Sequence, residues 1–384
     1  MSESSTPRRT FLKVATAGLA TASLPTNASS ATKTTAKPGP HRMMIIDALG
    51  GISNPNLPDA GENTPDKGVD TRALADARAS GLVAFNQTLG YVAGPEDPFE
   101  YSMREIGIWD ALIRRKPESL IKVHSVADIR RAHAERKLGV IYGFQNGAMM
   151  GNDAKRVALF ANLGMRVIQL TYNGRNQIGD GSMVAENKGL TPFGREVLAE
   201  LNRNRVLVDL SHSGETTCLD AITGSTKPIV ISHTGCRALT DLPRNKSDRE
   251  LRLLADKGGF VGIYFMPFLA IDRQPTADDL IAHIEHAIKI CGEDHVGIGT
   301  DGTVPKIDDM AAYMVEFRKE VEARRAAGIG AAGERPDIVK FLPDLTGPEK
   351  FRKLAGLLAK RGHSNRRIEK LFGENFLKVA EAVW

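Results

Sequence analysis

Cysteine is scarce in this chain. Cys218, Cys236 and Cys291 are the only three in 384 residues, too few and too scattered for a disulfide framework or a zinc knuckle. All three stand in apolar segments and read as buried packing, and the odd count leaves at least one thiol free. Long apolar runs are missing too: no stretch reaches the ~18 residues of a membrane span. There is no concentrated basic stripe either. Of the formal net charge of +5, three charges belong to residues 1–36, where Arg8, Arg9, Lys13 and Lys33 face only Glu3, and the remainder mixes both signs. A nucleic-acid partner is therefore not expected. The glycine-rich phosphate loops are absent as well. Gly50-Gly51-Ile52-Ser53-Asn54 follows the first candidate strand without matching G-x-G-x-x-G, and no G-x-x-x-x-G-K-[ST] occurs. That counts against a nucleotide-binding doubly wound sheet.

What is present begins with a targeting pattern. Arg8-Arg9-Thr10-Phe11-Leu12-Lys13 precedes a short, weakly apolar run from Val14 to Leu24, and small residues follow at Asn27-Ala28-Ser29-Ser30-Ala31. Twin arginines ahead of such a run predict export of the folded protein to the periplasm, with cleavage near Ala31. Residues 1–36 are thus read as signal peptide and linker, and 37–384 as one catalytic domain.

Within that domain a regular beat sets in. Short apolar, β-branched runs alternate with longer amphipathic stretches, the pattern of βαβ units. Eight strands are predicted: 43–49, 82–86, 139–144, 166–172, 206–211, 229–233, 260–265 and 296–300. Helices are predicted between them, such as 125–136 with a Ser125 cap and 248–257 with Asp248 as its cap. Eight units without a compositional break predict an α/β fold, a closed (β/α)8 TIM-type barrel. Residues 303–347 interrupt the rhythm and read as an insertion, a candidate lid. Residues 365–384 read as an amphipathic helix pair closing the bottom.

In such a barrel the chemistry gathers at the C-terminal ends of the strands. There the sequence places Gln145-Asn146, Tyr172-Asn173, Asp209-Leu210-Ser211-His212, Ser232-His233 and Asp301. His212 and His233 share one local form, an apolar run ending in Ser-His. Imidazoles at neighbouring strand mouths can converge on a cation, usually zinc. Asp301, beyond Val296-Gly297-Ile298-Gly299-Thr300, can ligate the ion or take a proton from the attacking water. Arg244 stands on a polar loop after the sixth strand, where a guanidinium can clamp a carboxylate through two parallel hydrogen bonds. A surface role for it remains equally open on these grounds.

Several segments together resemble the membrane (renal) dipeptidase family. They are Gly189-Leu190-Thr191-Pro192-Phe193-Gly194-Arg195-Glu196-Val197, Val208-Asp209-Leu210-Ser211-His212 and Lys227-Pro228-Ile229-Val230-Ile231-Ser232-His233, with Pro243-Arg244-Asn245 and His295-Val296-Gly297-Ile298-Gly299-Thr300-Asp301. The likeness runs from about residue 43 to the C-terminus. It implies an amidohydrolase-like barrel, two zinc ions bridged by a glutamate, and hydrolysis of dipeptides that tolerates a D-residue at the C-terminal position. Carried over by position, His212 and His233 are metal ligands and Asp301 is catalytic. Arg244, with Asn245 beside it, binds the substrate carboxylate.

Three features of the family pattern are altered. Leu49 and Gly51 stand where the family has His-x-Asp. Gln145 stands in place of the bridging glutamate, and Tyr172 in place of a histidine. Gly143–Asn146 and Leu170–Asn176 resemble a bacterial subgroup with the same replacements. A neutral glutamine offsets the repulsion of two cations poorly, so one ion is expected, held by His212, His233 and either Asp301 or the Gln145 oxygen. Tyr172 is left as a hydrogen-bond donor to a developing oxyanion. The expected activity is metal-dependent hydrolysis of dipeptides or similar small amides. The alternatives are a barrel that binds a small ligand without metal or catalysis, and a metal-free reaction run by Asp301 and Tyr172. A homodimer is left open.

Overall fold

The computed structural model describes residues 42–58 and 64–384. The twin-arginine segment lies outside the described residues. Nine parallel strands form: β1 (Ile45–Asp47), β2 (Leu82–Leu89), β3 (Leu120–Lys122), β4 (Leu138–Phe144), β5 (Met165–Gln169), β6 (Leu207–Asp209), β7 (Val230–Thr234), β8 (Phe260–Ile263) and β9 (Val296–Ile298). Eight follow one another around the sheet in the order β1-β2-β4-β5-β6-β7-β8-β9. The ends meet: Ala48 N–H donates to the Ile298 carbonyl at 3.1 Å and Asp301 N–H to that of Leu49 at 2.8 Å. The result is the amidohydrolase-like (β/α)8 barrel, with all eight predicted strands in place.

The ninth strand, β3, was not predicted. It pairs with residues 138–140 of β4, ahead of residues 142–144, where β5 joins. The helix Val126–Glu135 forms with Ser125 in a capping box, as expected. The helix Asp248–Asp256 corrects one detail. Its cap is Ser247, whose hydroxyl accepts from Glu250 N–H while Glu250 reaches back, so Asp248 is the first helical residue. The expected C-terminal pair is one continuous rod, helical from Asn365 to Val383 with a single wide turn at Lys370–Glu374.

That rod closes the bottom of the barrel. Phe376, Val379 and Val383 pack with Ile46, Val83, Ile141, Val167, Leu207, Val230 and Phe260. Higher up the interior narrows, and glycine is required. A Cβ on Gly299 would stand 1.9 Å from the Ser232 carbonyl oxygen, a backbone atom that cannot swing aside. Gly299→Ala should therefore lower unfolding free energy by about 1–3 kcal/mol, the range for overpacking a close-packed core. Equilibrium denaturation would measure it, and an unchanged midpoint would contradict the tight fit.

Residues 303–347 form the helix Met310–Ala326 and a run of turns. The turns reach the strand mouths, where Asn173 Nδ2 donates to the Ile329 carbonyl at 3.0 Å. Among the described residues no helix is long and apolar enough to cross a membrane.

Candidate active site

Asp209, at the end of β6, organises the two histidine-bearing strand ends. It is fully buried and accepts hydrogen bonds from the backbone and hydroxyl groups of both Ser211 and Ser232. Ser211 Oγ in turn accepts from His233 N–H at 3.1 Å. This explains the repeated Ser-His form: each serine ties its strand end to the same carboxylate, so the following histidines are held at matching height.

The same network assigns the imidazole protons. Ser232 Oγ donates to Asp209 Oδ2 at 2.5 Å, so towards His233 Nδ1, 2.9 Å away, it is the acceptor. Asn173 spends its amide nitrogen on Ile329, and its Oδ1 accepts from His212 Nδ1 at 2.8 Å. Burial, followed by the charge of Arg244, keeps both rings well below the usual histidine range and therefore neutral. Each ring thus carries its proton on Nδ1 and turns the Nε2 lone pair into the mouth.

Those lone pairs meet. His212 Nε2 and His233 Nε2 are 3.1 Å apart. Gln145 donates through Nε2 to Thr88 Oγ1 and turns Oε1 to within 3.1 Å of His212 Nε2. Asp301 Oδ2 lies 3.9 Å from His233 Nε2. Arg244 Nη2 is a long 3.4 Å from His212 Nε2. Three lone pairs aimed at one point repel unless a cation lies among them. Nitrogen ligands ~2.0–2.1 Å from a tetrahedral ion stand about 3.3 Å from each other, close to the spacing found. The residues present fit one borderline divalent ion. Among the described residues, Leu49, Gly51 and Tyr172 add no nitrogen or carboxylate donor to this set. Leu49 is core and its carbonyl closes the barrel, Gly51 bridges to Thr303, and Tyr172 supplies a phenol. Among the described residues no three His, Cys, Asp or Glu side chains form a ligand cluster by themselves.

Around this point the remaining groups are set with different freedoms. Asp301 sits at φ +53°, a left-handed conformation unusual for a non-glycine residue, with its N–H tied to Leu49. Burial pushes its carboxyl up to about 6, although Arg244 and Lys340 oppose the shift. A carboxylate at that value is ionised at neutral pH and still basic enough to take a proton. Arg244 is 1% exposed. It touches the Ser211 carbonyl, the His212 ring and the face of Tyr264, none of them anionic. Asn245 differs from the expectation that it binds substrate. It is fully buried, its amide nitrogen is taken by the Thr240 and Phe268 carbonyls, and its oxygen accepts from Tyr264. It braces the loop that carries Arg244.

Tyr172 stacks on His212, with ring centroids 4.1 Å apart and planes 27° apart. Burial pushes its phenol up from the ordinary value, and the positive charge of Arg324, which comes from the insertion, opposes that shift. Arg324 was missed in the sequence. The signal was there: Phe317 and Val321 are the buried residues of its helix, and Arg324 follows them at helical spacing on the same face.

The parallel barrel and its inward-turned imidazoles define a hydrolase of the amidohydrolase-like class. The model of the membrane dipeptidase family, peptidase family M19, matches residues 86–327, and the chain belongs to that family, a family of metallopeptidases. It is 33% identical to an amidohydrolase from Pseudomonas aeruginosa, with 89% of this chain and 97% of that one covered at a TM-score of 0.75. It is 26% identical to dipeptidase tcpJ of Claviceps purpurea over 82% of this chain and 69% of that protein. A metallopeptidase from Rhodobacter sphaeroides, solved with a phosphinate mimic of the dipeptide L-Ala-D-Ala, has the same fold: TM-score 0.71, 20% identity, 90% of this chain and all of that one covered.

Proposed function

We propose that this hydrolase is a zinc-dependent dipeptidase with one ion per chain, acting on dipeptides or similar small amides that carry a free carboxylate. The observation that carries the reading is the convergence of the His212, His233 and Gln145 lone pairs beside Asp301. His212 and His233 would hold the ion, with the Gln145 oxygen or Asp301 completing its shell. When bound, such an ion makes a water more acidic and polarises a carbonyl. Arg244, buried without an anionic contact, orients the substrate through its terminal carboxylate. Asp301 takes the proton of the attacking water and returns it to the leaving amine. Tyr172 donates to the oxygen on which charge develops. The test is metal content per chain together with a dipeptide panel that includes L-D pairs. About one ion and turnover of free-carboxylate dipeptides are expected. Ligand binding without metal or turnover would favour the non-catalytic barrel instead.

The working compartment in this reading is the periplasm, reached by the twin-arginine route. Changing Arg8 and Arg9 together to lysine should leave the precursor in the cytoplasm, and normal export of that variant, read by cell fractionation, would remove the assignment.

A further inference from the structure

We infer that Asp47 and Lys350 are positioning residues of the active site: they brace the two ends of the turn Thr300–Thr303 and so fix Asp301 beside the imidazoles. This rests on the dipeptidase reading above.

Asp301 stands where the barrel closes. β1 and β9 lie at the two ends of the strand order, and separate hydrogen bonds join them. Asp301 N–H donates to the Leu49 carbonyl at 2.8 Å, and Gly51 N–H to that of Gly302 at 2.8 Å. A left-handed aspartate persists only where its surroundings over-determine it, and Asp301 sits at φ +53°. Two buried side chains of opposite charge add what the backbone contacts lack.

Asp47 ends β1 and is 1% exposed. Its carboxylate accepts from Thr300 N–H at 2.7 Å and from the Thr300 hydroxyl at 2.6 Å. Thr300 Oγ1 in turn accepts from Gly302 N–H at 3.3 Å, which ties the turn across Asp301. The sequence carries the mark of this packing at Gly50, where a Cβ would stand 2.2 Å from Asp47 Oδ2. Lys350 opens the helix Lys350–Lys360 and is 3% exposed. Its ammonium donates to the Thr303 carbonyl at 3.1 Å and lies over the rings of Phe351 and Phe265. Uncharged side chains would fill these two places at less cost in desolvation. The fold instead sets both charges on one four-residue turn, the one that carries the proton acceptor. A reacting group displaced by about 1 Å loses rate steeply, and that gives the brace its use.

The experiment compares wild type, Asp47→Asn and Lys350→Met in the full chain, each with Asp301 intact and with Asp301→Asn. Asparagine keeps an acceptor for Thr300 N–H, and methionine keeps the apolar stem of Lys350 against its two rings, so both variants should fold. Thr300→Val, which removes only the hydroxyl held by Asp47, is a third variant with the same expected pattern and a smaller loss. The readouts are metal content, kcat and KM on a dipeptide, and hydrogen exchange of the amides of residues 300–302. With Asp301 intact, the variants should keep their metal and hold KM within about threefold. They should lose kcat by about 10–100-fold, up to the size expected for ~1 Å of misplacement. In the Asp301→Asn background they should lose almost nothing further, because the group they position is already gone. Exchange at residues 300–302 should quicken while the strands stay protected. Equal losses of kcat in both backgrounds would mark a general structural role and overturn the assignment, and so would wild-type kcat in all three variants. Exchange is read without substrate. A wild type that cleaved no dipeptide would therefore remove the dipeptidase reading, whereas unchanged exchange in the variants would remove the brace itself.

Discussion

Asp301→Asn is expected to cut kcat by about 10²–10⁴-fold, the contribution of a positioned general base, while leaving KM nearly unchanged. The asparagine amide keeps the shape and the hydrogen-bonding size of the carboxylate but cannot take a proton at neutral pH. Its backbone remains tied to Leu49 at the barrel seam, so the loop should hold. Arg244→Met should behave in the opposite way. A buried guanidinium without an anionic contact is costly in the free protein, and a substrate carboxylate relieves that cost. Its loss should weaken binding of free-carboxylate dipeptides by about 1.5–3 kcal/mol, as for hydrogen bonds to charged groups. The same dipeptides capped as amides should be affected much less. Steady-state kinetics on capped and uncapped pairs separate the two roles. An equal effect of Arg244→Met on both forms would contradict the carboxylate clamp, and a loss confined to KM in Asp301→Asn would contradict the base.

Replacing His212 and His233 together by alanine should strip the divalent ion and with it essentially all turnover. Two of the donors in the set vanish, and the Gln145 amide oxygen and Asp301 cannot retain the ion alone, since affinity falls steeply when ligands are lost. A thermal readout accompanies the metal analysis. Added zinc should raise the melting temperature of the metal-stripped wild type, because a ligand that binds only the folded state stabilises it by mass action. It should not raise that of the double variant. Two ions per wild-type chain would show that ligands other than these build a second site. A double variant that kept its ion would show that the imidazoles are not the ligands.

How much of this was readable depends on the range over which each feature is encoded. The eight barrel strands were legible because each is a local apolar run between amphipathic stretches. Among the strands of the described residues, β3 escaped. The Ser247 cap was missed by one position because Ser247 and Asp248 are both good capping residues, and the reciprocal Glu250 contact decides between them. His212 and His233 stood out through their matching Ser-His endings, and the structure adds the cause, a shared carboxylate at Asp209.

The chain by itself determined the barrel, the place of its mouth and the residue types gathered there, since strand period, strand ends and family segments are all local properties. Only the tertiary structure decided what those residues face. It turned Asn245 inward to brace a loop, and it set the imidazole protons through Asn173 and the Ser232–Asp209 pair. It also carried Ile329 from an insertion to the amide of Asn173. Such contacts join distant segments, and their geometry follows from how the whole barrel closes and not from any run of neighbouring residues.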